Sequence, residues 1–295
     1  MLRHIIFILE KIRKKFPFLK YNTILRACYH RAMMSAPYRA IVKPGRDAAR
    51  FFTANADRVN AVADLLADQQ SKKEYLGAIK FRQTFHKKDS CFAGYAEAQY
   101  FLDLVRFNKD EVFVDCGAYN GDTIESFFEH CKEYRQIVAF EPEAKNFEEL
   151  KNKYGGNPKI TLIKAGTYDK DGIVTFDPKI TRPNRTSGRV MECRSKKDKE
   201  YFVNIEVRAI DNLNLENVTY IKMDVEGAEL NSLQGAKQTI LRDKPKLAVS
   251  IYHSDEDMVR IAEYIHGLNL GYKLYVRHYG KYPYCKNDTV LYALF

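Results

Sequence analysis

Residues 112–123 read VFVDCGAYNGDT. Three apolar residues run into Asp115, two glycines follow at Gly117 and Gly121, and Asp122-Thr123 open a segment whose Ile124, Phe127, Phe128 and Cys131 share one helical face. A strand that turns through glycines into a helix is the opening unit of a parallel sheet covered on both faces. The same alternation continues downstream. QIVAFE (136–141) reads as a strand, EAKNFEELKNKY (143–154) as a helix and KITLIKA (159–165) as a third strand. After a turn at Asp171-Gly172 come a hairpin strand GIVTF, a polar basic loop over about 178–200, and the strand VNIEVRAI. YIKMD (220–224), a helix through Leu230, Leu233 and Ile240, KLAVSIYH (246–253) and a helix near 255–268 complete the series. YKLYVRHY and DTVLYALF have no helix between them, so they are expected as an antiparallel pair at the sheet edge. The fold class is therefore α/β.

Upstream the pattern is helical to about residue 84. Phe52, Ala56, Val59, Ala63 and Leu66 recur at alternating spacings of four and three, and Ser71 followed by Glu74 has the form of a capping box. Residues 86–96 lack periodicity and read as a linker, which divides the chain into a helical segment 1–94 and a domain 95–295. No internal repeat interrupts either part.

The formal charge of +10 invites a nucleic-acid reading until it is located. Residues 1–50 hold 12 Lys/Arg against 2 Asp/Glu, which accounts for the whole excess, and the remainder balances 36 bases with 36 acids. Proteins that grip phosphate backbones line the working surface with bases, so nucleic acid is not the expected partner. Within residues 1–20 the uninterrupted apolar run, Ile5 to Leu9, is too short for a signal core or a membrane span. A helix packed on the domain or on a partner is expected there, with peripheral contact to an anionic membrane as the alternative. The six cysteines have no Cys-x-x-Cys spacing and read as reduced thiols of a cytoplasmic protein.

The turn at 117–121 has Gly-x-x-x-Gly, where a dinucleotide fingerprint would carry Gly-x-Gly-x-x-Gly. Asp115 closes the strand where a diphosphate would add negative charge, so the site suits a cation better. Glu141 ends the second strand 20 residues beyond Gly121, where this architecture places an acid that accepts both hydroxyls of a ribose. A ribose joined to positive groups without phosphate describes S-adenosylmethionine. A third acidic element, DVEGAE (224–229), ends the strand YIKMD in the same crevice.

VFVDCGAYNGDT, IVAFEPE, IKMDVEGAE, LAVSIYH and YKLYVRHY together resemble the FkbM family of S-adenosylmethionine-dependent methyltransferases, over roughly residues 95–295. The resemblance implies a class I methyltransferase fold, Rossmann-like, with a mostly parallel seven-stranded sheet, the last strand antiparallel. It implies methyl transfer to oxygen, often on sugars of surface polysaccharides or on secondary metabolites. It also implies that Asp115, Gly117, Gly121 and Glu141 hold the donor; Ala118, Asn120, Asp122 and Thr123 of the same turn, Pro142 after Glu141, and Asp224 are grouped with them.

Transfer from a sulfonium is an in-line displacement, and an alcohol needs its proton removed as it attacks. The candidates at the strand ends are His253, Asp224 and Glu226. His253 is the expected base because imidazole titrates near neutrality, and Glu229 supports from behind. Two acids and a histidine are ligand types for Mg²⁺ or Mn²⁺, but the spacing does not require an ion and none is expected. Arg182 and Arg185, in the basic loop, are candidate contacts to an anionic acceptor such as a nucleotide-linked or phosphorylated glycan, with Arg277 and His278 on the acceptor side. Tyr95, Gln99 and Tyr100 are candidate covers for the donor. Two alternatives remain, a nicotinamide-dependent oxidoreductase and a non-catalytic scaffold recruited to membranes by its basic N-terminus; the glycine spacing and Asp115 weigh against the first, and the intact donor motif against the second.

Overall fold

The computed structural model describes residues 45–89, 99–176, 181–182, 185–186, 203–280 and 286–295. Three helices come first, α1 (Arg46–Ala54), α2 (Ala56–Leu65) and α3 (Gln69–Thr84). The sheet region then alternates as β1 (Val112–Cys116), α4 (Asp122–His130), β2 (Gln136–Phe140), α5 (Ala144–Tyr154), β3 (Ile160–Ile163), β4 (Gly166–Thr167) and β5 (Gly172–Phe176). After the short β6 (Thr181–Arg182) and β7 (Arg185–Thr186) follow β8 (Val203–Arg208), β9 (Tyr220–Met223), α6 (Glu229–Gln234), α7 (Lys237–Asp243) and β10 (Lys246–Ser250). The described chain closes with α8 (Asp257–Gly267), β11 (Lys273–His278) and β12 (Thr289–Leu294).

The main sheet has seven strands in the order β11-β12-β10-β9-β1-β2-β3. All neighbours are parallel except β12, which runs antiparallel to both β10 and β11. The carboxyl ends of β1, β2, β9 and β10 therefore lie along one edge, and the strand order changes direction at β1, where a crevice opens. VNIEVR does not join this sheet. As β8 it pairs with β5 antiparallel and with β4 parallel in a separate three-stranded sheet.

Strand periodicity sorts the two cores. Val112, Val114, Cys116, Ile221, Met223, Leu247 and Val249 point to one face, while Phe113, Tyr220 and Ala248 point to the other. The first face carries α6, α8 and also Phe52, Val59, Val62, Leu66, Tyr75 and Ile79 of the N-terminal helices. Those helices thus share one core with the sheet, and a division at 94/95 does not separate two cores. The second face stacks Phe101, Phe107, Phe113, Phe127 and Tyr220 against α4.

Polar contacts reinforce this junction. Asp68, not Ser71, caps α3, accepting from the Ser71 amide at 2.6 Å. The Ser71 hydroxyl and the Glu74 carboxylate, expected to form a capping box, turn instead to β11 and accept from the amides of Val276 and His278. Among the described residues no helix is long and apolar enough to cross a membrane. Cys116 and Cys131 are buried free thiols.

Candidate active site

The turn after β1 is shaped by close approach. Gly117 has φ 86°, and a Cβ there would lie 2.1 Å from the carbonyl oxygen of Asp224, so only glycine lets the loops after β1 and β9 meet. Gly121, with φ 90°, leads into α4 against the Tyr154 ring. The amides of Gly117 and Ala118 donate to the Phe140 carbonyl, which ties the turn to the end of β2. Asp122 and Thr123 form the first turn of α4, where the Asp122 carboxylate accepts from the Thr123 amide. Asn120 Oδ1 is buried with no hydrogen-bond partner among the described residues, leaving an acceptor for a ligand in this turn.

Glu141 lies at the end of β2, buried, with one carboxylate oxygen accepting from the Tyr119 amide and the other from the Glu143 amide across Pro142. Burial raises its pKa and these amides oppose the rise. The backbone bonds fix the carboxylate plane and leave a lone pair on each oxygen for a vicinal diol. Tyr119, beside it, is 53% exposed and holds φ 48°. Tyr100 and Glu226 are also left-handed non-glycines, so backbone strain gathers around this crevice.

Asp115 has a partner within the sheet. It is fully buried and sits in register with Lys222 of β9, whose ammonium is 3.0 Å from its Oδ1. Burial works against the lysine's charge, but the Asp115 and Asp224 carboxylates outweigh it and hold Lys222 above its ordinary pKa. The negative charge of Asp115 is therefore paired within the protein. Lys222 also donates to the Gly117 carbonyl at 2.8 Å, so the pair positions the glycine turn. This lysine was missed in the sequence; its one signal is a charge inside the apolar run YIKM.

Asp224, a quarter exposed, accepts from the Tyr100 hydroxyl at 2.7 Å and from Tyr252 at 3.3 Å. Despite burial, His253 and Lys222 lower its pKa. His253, whose side chain is 1% exposed, lies 3.4 Å from Asp224, 3.5 Å from Glu226 and 2.8 Å from Glu229. Burial opposes its protonation, yet the three carboxylates raise its pKa to about 10. These carboxylates favour the protonated imidazole, which weighs against His253 as the proton acceptor near neutral pH. Glu226 has a side chain 56% open to solvent. Crowding by the protein around its carboxyl and the charges of Asp224 and Glu229 bring its pKa to about 7, against the pull of His253. Glu229 is fully buried behind His253, its Oε1 accepting from the amides of Val225 and Gly227. One ligand atom each from Asp224, Glu229 and His253 lie within 4.8 Å of one another, a spacing that a metal ion can bridge.

Tyr100 and its neighbour Gln99, linked at 3.0 Å, stand next to Asp224, whereas Tyr95 lies outside the described residues. Arg182 and Arg185 face each other across the β6–β7 ladder, and their side chains are outside the described set. Arg277 and His278 do not line the crevice, which corrects their placement on the acceptor side. Arg277 is buried in a clamp with Asp68 (2.8 Å) and Ser71 (2.7 Å) of the N-terminal helices. His278 is fully buried, its Nδ1 2.8 Å from the Thr289 hydroxyl.

A parallel sheet with one antiparallel strand inserted next to the edge, and a glycine turn and two acid-bearing strand ends around one crevice, is the class I methyltransferase fold, Rossmann-like. Residues 115–274 match the Methyltransferase FkbM domain, and the chain belongs to that family. It is 23% identical over 149 residues to the 2-O-methyltransferase NoeI of Sinorhizobium fredii (strain NBRC 101917 / NGR234), a match covering 46% of this chain and 61% of that protein. The crystal structure of an FkbM methyltransferase from Methylobacillus flagellatus KT superposes with a TM-score of 0.68 at 26% identity, over 83% of this chain and 60% of that one. The chain thus spans about three fifths of the length of each relative.

Proposed function

We propose that the protein transfers a methyl group from S-adenosylmethionine to a hydroxyl of a carbohydrate or polyol, as in the assembly of surface polysaccharides or secondary metabolites. The observation that carries this reading is the acid-lined crevice of an FkbM domain, in which Glu141 presents a fixed carboxylate to a diol and Asp224 stands one strand away from the glycine turn. The donor's ribose belongs on Glu141, its adenosine along Tyr119, Asn120 and Pro142, and its cationic end toward Asp224. S-Adenosylmethionine supplies the methyl group as a sulfonium. As the acceptor oxygen forms its bond to the methyl carbon, the sulfur–carbon bond breaks and sulfur leaves as a neutral thioether. The hydroxyl proton passes to Glu226, the carboxylate most open to an incoming acceptor, and from there to water. His253 is a positioning group that keeps Asp224 and Glu226 turned toward each other. The similarity to NoeI, a 2-O-methyltransferase, supports an oxygen acceptor.

Calorimetric titration with S-adenosylmethionine and, separately, with NAD tests the donor. Saturable binding of the sulfonium and none of the dinucleotide is expected; the reverse would overturn the reading. A panel of sugars and nucleotide-linked sugars with methyl-labelled donor then tests the acceptor class.

A further inference from the structure

We infer that Asp224, Glu229 and His253 form a site for a divalent cation of the Mn²⁺ and Mg²⁺ class, set beside the methyl-transfer centre. The three residues come from two adjacent strand ends and the first turn of α6, so packed elements bring them together. One donor atom from each lies within 4.8 Å of the other two. An ion about 2.1 Å from each oxygen and nitrogen spans donors separated by up to roughly 4.2 Å, so the cluster needs adjustments of a few tenths of an ångström.

A second observation is independent of the acids' proximity. Glu229 is fully buried, and although its Oε1 takes two backbone amides, its Oε2 has no hydrogen-bond partner. The His253 ring nitrogens are likewise without a hydrogen bond and meet the three carboxylates only as ion-pair contacts, Nδ1 at 2.8 Å from Glu229 Oε1. A carboxylate oxygen left without a partner in so buried a place carries a desolvation cost that a ligand would offset, and an ion there would take the place of the imidazole proton. The donor set of two carboxylates and one imidazole fits Mn²⁺ and Mg²⁺ better than thiolate-seeking ions. Asp224, a quarter exposed, is the member that faces the crevice, so the remaining coordination positions open toward the acceptor. The ion's use in catalysis rests on the function proposed above: held by Asp224, Glu229 and His253, it would supply a Lewis acid beside the acceptor oxygen.

Mn²⁺ is the probe. Metal-free full-length protein is titrated with Mn²⁺ and free ion is followed by electron paramagnetic resonance, with circular dichroism confirming the fold. One saturable site per chain is expected, weakened at least tenfold in Asp224→Asn and His253→Asn and unchanged in Glu148→Gln, a control at an exposed acid of α5. Electron spin echo measurements on the wild type should show coupling to a coordinated imidazole nitrogen, which requires no variant to fold. Absence of a saturable site, absence of nitrogen coupling, or equal affinity in folded Asp224→Asn would each overturn the inference. S-Adenosylmethionine is titrated in parallel. Mn²⁺ binding without donor binding would leave the cation site standing and remove the methyl-transfer reading. Donor binding and turnover in EDTA, with no Mn²⁺ site, would do the opposite.

Discussion

Replacing Arg82 by methionine should destabilise the protein by about 3 kcal/mol, the lower end of the cost of removing one partner from a buried charge pair. Arg82 belongs to α3, well upstream of the FkbM match, yet it is 1% exposed and reaches the loop that carries the site. Its guanidinium donates to Asp255 Oδ1 at 2.7 Å, to the Lys286 carbonyl at 3.0 Å and to the Tyr252 carbonyl, adjacent to His253. Methionine would fill much of the volume but remove the donor to two carbonyls, each loss costing on the order of 1 kcal/mol or more. Asp255, a quarter exposed, would recover hydration and limit the total. With a urea slope of about 3 kcal/mol/M the unfolding midpoint should fall by roughly 1 M. Arg82→Lys should recover only part, because one ammonium cannot present the planar fork that meets three acceptors. A midpoint shift equivalent to less than about 1 kcal/mol in Arg82→Met would refute the claim that the N-terminal helices brace the site.

Gly117→Ala combines a left-handed φ with a Cβ 2.1 Å from the Asp224 carbonyl; strain of about 1–3 kcal/mol plus displacement of one loop should abolish donor binding by calorimetry and lower the melting temperature. His278 has its pKa lowered to about 4 by burial and by the charge of Arg82. The unfolded chain takes a proton near pH 6.5 and the folded one does not until about 4, so this stability is complete above about 6.5 and lost as pH falls toward 4. The loss between pH 7 and 5 should be about 2 kcal/mol, and urea midpoints of His278→Gln across that range should lack this component of the slope.

The strand–helix alternation was legible because each buried strand is a short apolar run and each helix shows a 3.6-residue stripe. The separate β4-β8-β5 sheet was not: its strands are half-exposed, with Ile173 at 73%, and β5 meets β8 across some thirty residues. At the site, Asp224, Glu226 and His253 could be placed because strand ends in this architecture share one edge. The neutralisation of Asp115 could not, since it depends on the register that puts Lys222 opposite it. The charge on His253 escaped for a similar reason, because Glu229 returns to it from the first turn of a helix. Arg277 and His278 looked available as bases at a strand end, but their partners, Asp68, Ser71 and Glu74, lie some 200 residues earlier.

The central claim is that the edge between Glu141 and Asp224 holds a positively charged nucleoside. Isothermal titration of S-adenosylmethionine into wild type and Glu141→Gln tests it most directly. One site per chain is predicted in the wild type, weakened by about tenfold or more in Glu141→Gln as a charge-assisted bond to the ribose hydroxyls is lost. Equal affinity in the two proteins, or no binding to the folded wild type, would contradict it.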